Sequence, residues 1–259
     1  MLRRAFARIA GFLLLAAMAL PVRAAINYQD MWWNPNESGW GVNVAQQGNT
    51  MFATWFIYGA NSQPLWLVMS NAQRSGAAGN TFVGDLFQTT GTAFNVTPFV
   101  PLQASNVTKV GTATFAFSDA RTGTLTYTVN GTQVVKQITR QPLENINLTG
   151  SYYGGLFRTQ ACANPGVSNS IYTVLHTPTS SGTGSVRITE VGGNLCLFTG
   201  NLTQYGSIFE GSGAYQCQGE NGNWTGSEGT GGESTFSIKL SLQTGAGICT
   251  STFGGFKSP

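Results

Sequence analysis

The chain is poor in the residues that most chemistry needs. Among its 259 residues there is one histidine, His176, and only 9% are Asp, Glu, Lys or Arg. That histidine lies in a strand-like stretch, IYTVLHTP, where a structural role outweighs that of a general base, and no G-x-S-x-G motif accompanies it. Carboxylates are equally sparse. Glu220, Glu228 and Glu233 are scattered through a glycine-rich stretch rather than set at ligand spacing. Asp30 and Glu37 stand seven residues apart across a proline turn, which does not define the carboxyl separation of a glycosidase pair. The expectation is a non-enzymatic protein with no cofactor and no metal.

Other absences narrow the class. Cysteine is missing before Cys162, no C-x-x-C occurs, and no segment beyond the first twenty-odd residues carries an apolar period of 3.6. That first segment, MLRRAFARIAGFLLLAAMALPVRAA, has a basic start, an apolar run from Gly11 to Leu20 and the small-x-small site Val22-Arg23-Ala24. It reads as a signal peptide over residues 1–24, its apolar run being too short for a membrane span. It also contributes Arg3, Arg4, Arg8 and Arg23; without them nine basic residues face ten acidic ones, a formal charge of −1. No basic stripe remains for nucleic acid or an anionic membrane surface. An exported destination, periplasmic or extracellular, follows, with no membrane span after cleavage.

What the chain does have is glycine (34 residues), Thr, Ser and Asn in quantity, 12% aromatics, and alternating apolar positions. TATFAFS (112–118) and TLTYTVN (124–130) alternate cleanly, and Asn130-Gly131 marks a two-residue hairpin turn that sets Tyr127 opposite Val134. Strands are also expected at 40–47, 50–58, 64–71, 133–140, 185–191, 195–202, 207–217 and 236–242. Gly219 to Gly232 reads as a flexible loop by composition. The fold class is all-β: antiparallel meander barrels or sandwiches, two of them, with no substantial helix after the signal peptide. The division falls at the polar stretch QPLENINLT, giving a Trp-rich module at 26–142 and a cysteine-containing module at 148–259. YQDMWW (28–33) and LTGSYY (148–153) hint at a repeat. In an exported chain the four cysteines are expected as two disulfides, Cys196–Cys217 bridging a hairpin that turns near Tyr205-Gly206, and Cys162–Cys249 tying the module's ends.

The aromatic signal is concentrated. Trp32, Trp33, Trp40, Trp55 and Trp66 fall within 35 residues on neighbouring elements, and MWWNPNESGWG holds three of them. As a site, this cluster would stack a carbohydrate or small apolar ligand on Trp40, Trp55 and Trp66, with Asn36 and Glu37 hydrogen-bonding to it. Trp33 is expected to pack, and Arg140 to stack on a tryptophan and pair with Glu37. The alternative is an envelope protein whose strands 50–58 and 64–70, apolar on both faces, assemble with a protein partner or a second copy.

The run Trp32 to Gly41, with Gln46-Gln47-Gly48, Phe52 to Phe56, Pro64 to Val68, the 123–131 strand and Ile138 to Gln141, resembles a WWNPxESGWG module of uncharacterised exported proteobacterial proteins. The resemblance covers most of residues 27–142 and implies export from a bacterium, without an established activity. The aromatic module starts and the late arginine also resemble lipocalin- and avidin-like barrels, in architecture only.

Overall fold

Successive hairpins leave every strand antiparallel to its neighbours in the sheet, and a meander of this kind loses its two edges only by closing on itself. A computed structural model shows this closure twice. It describes residues 26–76, 79–162, 164–192, 196–245 and 247–258, so the segment read as a signal peptide lies outside the described residues.

The first barrel comprises β1 (Asp30–Trp33), β2 (Gly41–Gln47), β3 (Thr50–Tyr58), β4 (Pro64–Ser75), β5 (Thr81–Thr89), β6 (Val107–Phe117), β7 (Thr122–Val129) and β8 (Thr132–Arg140). It closes through Trp32 opposite Arg140. The second comprises β9 (Gly150–Arg158), β10 (Gly166–Pro178), β11 (Thr183–Val191), β12 (Leu197–Tyr205), β13 (Ile208–Cys217), β14 (Glu220–Gly231), β15 (Thr235–Thr244) and β16 (Gly247–Lys257), closed by β16 on β9. The only helical element among the described residues is a 3-10 turn at Ala104–Asn106. Tyr127 lies opposite Val134, and the disulfides are Cys162–Cys249 and Cys196–Cys217, as the hairpin pattern predicts. Two disulfides fit an oxidising compartment.

The stretch expected to be a flexible loop, Gly219 to Gly232, is instead mostly strand β14. Its glycines make room rather than slack. A Cβ at Gly226 would stand 3.1 Å from the Trp224 ring, and one at Gly211 on β13 would also stand 3.1 Å from it, so both face an indole that fills the barrel and donates to the Thr199 carbonyl at 3.1 Å. Where a large ring must lie across neighbouring strands, those strands need glycine.

Both interiors are packed. Trp32, Trp55, Phe82, Phe115 and Phe117 fill the first, and Tyr152, Tyr172, Phe209, Trp224 and Phe236 the second. The void among Ile188, Phe198, Leu202, Trp224 and Phe236 is about 10 Å³, roughly the space of one water. No described helix is long and apolar enough to cross a membrane.

The two modules open in the same way. Trp32 Nε1 donates to the Tyr28 carbonyl at 2.9 Å, and the Tyr152 hydroxyl donates to the Leu148 carbonyl at 2.7 Å. Trp32 pairs with Arg140 and Tyr152 with Lys257, the last residue of each closing strand and in both cases a cation. YQDMWW and LTGSYY thus occupy equivalent places.

Candidate functional site

Strand alternation decides where the tryptophans go. Trp55 on β3 lies opposite Leu67 on β4, whereas Trp66 lies opposite Phe56. Neighbouring strands share a face only at paired positions, so Trp55 and Trp66 point to opposite sides of the wall. Trp55 is fully buried, 5.6 Å from Phe115 and 6.2 Å from Tyr127 between ring centroids. Trp66 is 52% exposed on the outside. The expected convergence of Trp40, Trp55 and Trp66 on one ligand is therefore not formed. Trp32, rather than Trp33, is the ring of that pair at 0% exposure; its alternate, Trp33, is half-buried.

Trp40 and Glu37 do meet, at the end of the first barrel that carries the β1–β2, β3–β4 and β5–β6 connections, here called the mouth. Asn34 Oδ1 accepts from the Asn36 amide at 3.0 Å and the Asn34 carbonyl from the Glu37 amide at 3.0 Å, which folds NPNES into a turn. Gly39, at φ +112°, reverses the chain into Trp40. Glu37 then accepts from Trp40 Nε1 at 3.0 Å and from Lys136, and Lys136 Nζ lies 5.5 Å from the Trp40 ring centroid. The hydrogen bond from Lys136, helped by that from Trp40, holds the Glu37 carboxyl below its ordinary range. The group is closed on itself: carboxylate, ammonium and indole N–H satisfy one another, and Asn36 is an exposed turn tip.

Glu37 is thus paired with Lys136 and not with Arg140. Arg140 stacks on Trp32 as expected, 5.1 Å from its centroid, but its partner is Asp30 at 2.8 Å, with the carbonyls of Asn27, Gln29 and Ala120 taking its other donors. Asp30 in turn accepts from the Ser207 amide at 2.8 Å and hydroxyl at 2.9 Å in the turn between β12 and β13. Beside it Arg121 lies 3.3 Å from Glu210 and donates to the Tyr205 hydroxyl at 3.4 Å. Burial raises the Glu210 carboxyl, with Arg121 opposing, and lowers Arg140, with Asp30 opposing. These contacts join the end of the first barrel opposite the mouth to the second barrel. They link residues up to 177 positions apart, and no local motif announces them.

On the outer wall of the first barrel, Phe52, Phe56, Tyr58 and Trp66 are all exposed on the adjacent strands β3 and β4. Loop 90–106, leaving β5 at the mouth, presents Phe94, Val96, Phe99, Val100 and Leu102 to solvent. The second barrel has its own outer recess of about 610 Å³, open and shallow, lined by Tyr153, Gly155, Asn169, Ile171, Gly254 and Phe256. Among the described residues no group of three His, Cys, Asp or Glu is placed to hold a metal.

Comparison with models of known protein families finds none that matches, and comparison with curated proteins finds no relative.

Proposed function

We propose that the protein is an exported, non-enzymatic binding protein that works through the outer aromatic face of strands β3 and β4. One observation carries this reading: Phe56 lies directly opposite Trp66, and both are half exposed on a barrel whose core is built from the buried rings of Trp32, Trp55, Phe82, Phe115 and Phe117. Contiguous exposed aromatics of this kind are costly to keep in water unless something covers them, and they mark contact surfaces. Of the two readings of the aromatic signal, contact through the outer apolar strand faces is favoured over a small ligand held among the tryptophans, because Trp55 is core and Trp40 is satisfied by Glu37.

The test is a titration with an apolar surface dye and with a panel of glycans, on the protein and on the double variant Phe56→Ser/Trp66→Ser. Dye enhancement that disappears in the double variant, with thermal unfolding unchanged, supports the reading. Enhancement that survives would refute it, and a glycan-induced emission shift lost in Trp40→Phe would restore the ligand reading at Trp40, Glu37 and Asn36.

A further inference from the structure

We infer that the mouth end of the first barrel docks on a phospholipid bilayer surface, with loop 90–106 entering the interface and Tyr58 and Trp66 standing at headgroup level. This rests on the reading of the outer aromatic face and names its partner.

Three observations converge. First, residues 86–108 contain no Asp, Glu, Lys, Arg or His, and within them Phe94 is 97% exposed and Phe99 64%. A charge-free segment is what hydrocarbon tolerates. Second, the loop is braced from within: the Thr90 amide donates to the Asn106 carbonyl, the Val96 amide to the Ala93 carbonyl and the Thr92 hydroxyl to the Val100 carbonyl. Main-chain groups carried into an interface need such partners. Third, the aromatic wall meets the loop's root. Val68 pairs with Phe87; Trp66 and Thr89 each stand two residues nearer the mouth on the same strands, and Thr90 begins the loop. Trp66 and, further toward the mouth, Tyr58 therefore ring the base of an apolar tip. Tryptophan and tyrosine at the level of the headgroups, with purely apolar side chains beyond them, is the distribution found at membrane interfaces.

Charge selects the lipid. At this end Glu37 is neutralised by Lys136, and further down the wall Asp85 is neutralised by Lys109 at 2.7 Å. With no net charge to attract anionic headgroups, binding is carried by apolar insertion and is indifferent to lipid charge and to salt.

The exported form, recovered from an expressing strain, is floated with phosphatidylcholine vesicles and with vesicles containing one quarter phosphatidylglycerol, in low salt and in 0.5 M salt. The expected result is equal flotation in all four conditions. Phe94→Asp/Phe99→Asp should weaken partitioning about a hundredfold, each buried phenyl ring being worth roughly tenfold. Both side chains are exposed, so an unchanged unfolding temperature confirms that the variant is folded. Lipids brominated near the headgroup should quench emission in the wild type and less so in Trp66→Phe. Absence of flotation, flotation unchanged in the double aspartate variant, or flotation that needs phosphatidylglycerol and fails in salt each overturns the inference. Retained dye binding at Phe56 and Trp66 without flotation would remove the bilayer while leaving the contact face standing; loss of both would remove the face itself.

Discussion

Replacing Asp30 by alanine tests whether the two barrels are one structural unit. In the native protein the Asp30 side chain is 9% exposed and the Arg140 side chain 1%. Removing one partner of a buried pair strands the other charge, at a cost of about 3–5 kcal/mol. Arg140 keeps the carbonyls of Asn27, Gln29 and Ala120, which places the loss at the lower end, about 3 kcal/mol. The Ser207 amide and hydroxyl also lose their acceptor, but water replaces it there and little is added. For a chain of this size 1 kcal/mol lowers the melting temperature by roughly 2–4 °C, so a fall of about 6–12 °C is expected by calorimetry. The variant should also be cut faster by protease in residues 141–146, because the pair that anchors the start of the connector at Arg140 has gone. A fall below about 3 °C with unchanged cleavage would refute the argument, since it would give the pair the weight of an exposed one. Ser207→Ala serves as the calibration: it removes one hydroxyl contact and should cost no more than about 1 kcal/mol.

Burial lowers the pKa of His176, with a backbone hydrogen bond opposing, so the unfolded chain binds its proton before the folded one does. Stability should therefore fall as pH drops below about 6.5 and level off below the depressed folded value, and His176→Gln should flatten that part of a melting curve measured from pH 7.5 to 5. Loop-closure entropy ranks the disulfides: Cys162–Cys249 spans 87 residues and Cys196–Cys217 spans 21, so paired serine substitutions should cost about 4.6 and 3.3 kcal/mol respectively in denaturant titrations. Gly226→Val would press its side chain onto Ile238 and the Trp224 ring, and an overpacking loss of about 1–3 kcal/mol should appear together with a shifted Trp224 emission.

The hairpins were legible because alternation and turn chemistry are local. Asn130-Gly131 alone sets the register of β7 on β8, and the cysteine spacing about Tyr205-Gly206 pairs Cys196 with Cys217. The side of the wall on which each tryptophan falls was not legible. In TMFATWFIY and PLWLVMSN both faces are apolar, so periodicity cannot tell inside from outside, and only the pairing of Trp55 with Leu67 and Trp66 with Phe56 separates the rings. Trp40 was better signalled, since Val42 and Val44 share its parity and both are buried. Lys136 was missed as the partner of Glu37 because 99 residues separate them, and the Asp30–Ser207 contact was missed for the same reason. Strand β14 is hidden in the sequence because glycine signals a loop by frequency, whereas here it compensates for the bulk of Trp224. Strands β1, β5, β9 and β16 and the first half of β10 are not legible, their own residues being too mixed to declare a period without neighbours.

The two ends of the molecule are held differently, and the difference follows from which turns meet. The turn between β12 and β13 docks on the first barrel through Asp30, Arg140 and Arg121, so the opposite turns of the second barrel form its free end. Both disulfides lie there: Cys162 stands between β9 and β10 and Cys196 between β11 and β12, while Cys217 ends β13 and Cys249 stands near the start of β16. Four turns are thereby stapled where no partner module supports them. The first barrel has no such staple at its mouth, and its closure relies on Trp40, Ile57, Leu65, Val129 and Val134 packed at the end of its core. Directly outside that unstapled end lie the uncharged loop and the exposed Trp66, Phe56 and Tyr58. A chain that reinforces one free end covalently and leaves apolar side chains in water at the other has one end suited to exposure and one suited to being covered. That asymmetry, more than the count of tryptophans, supports the proposed contact surface at the mouth of the first barrel.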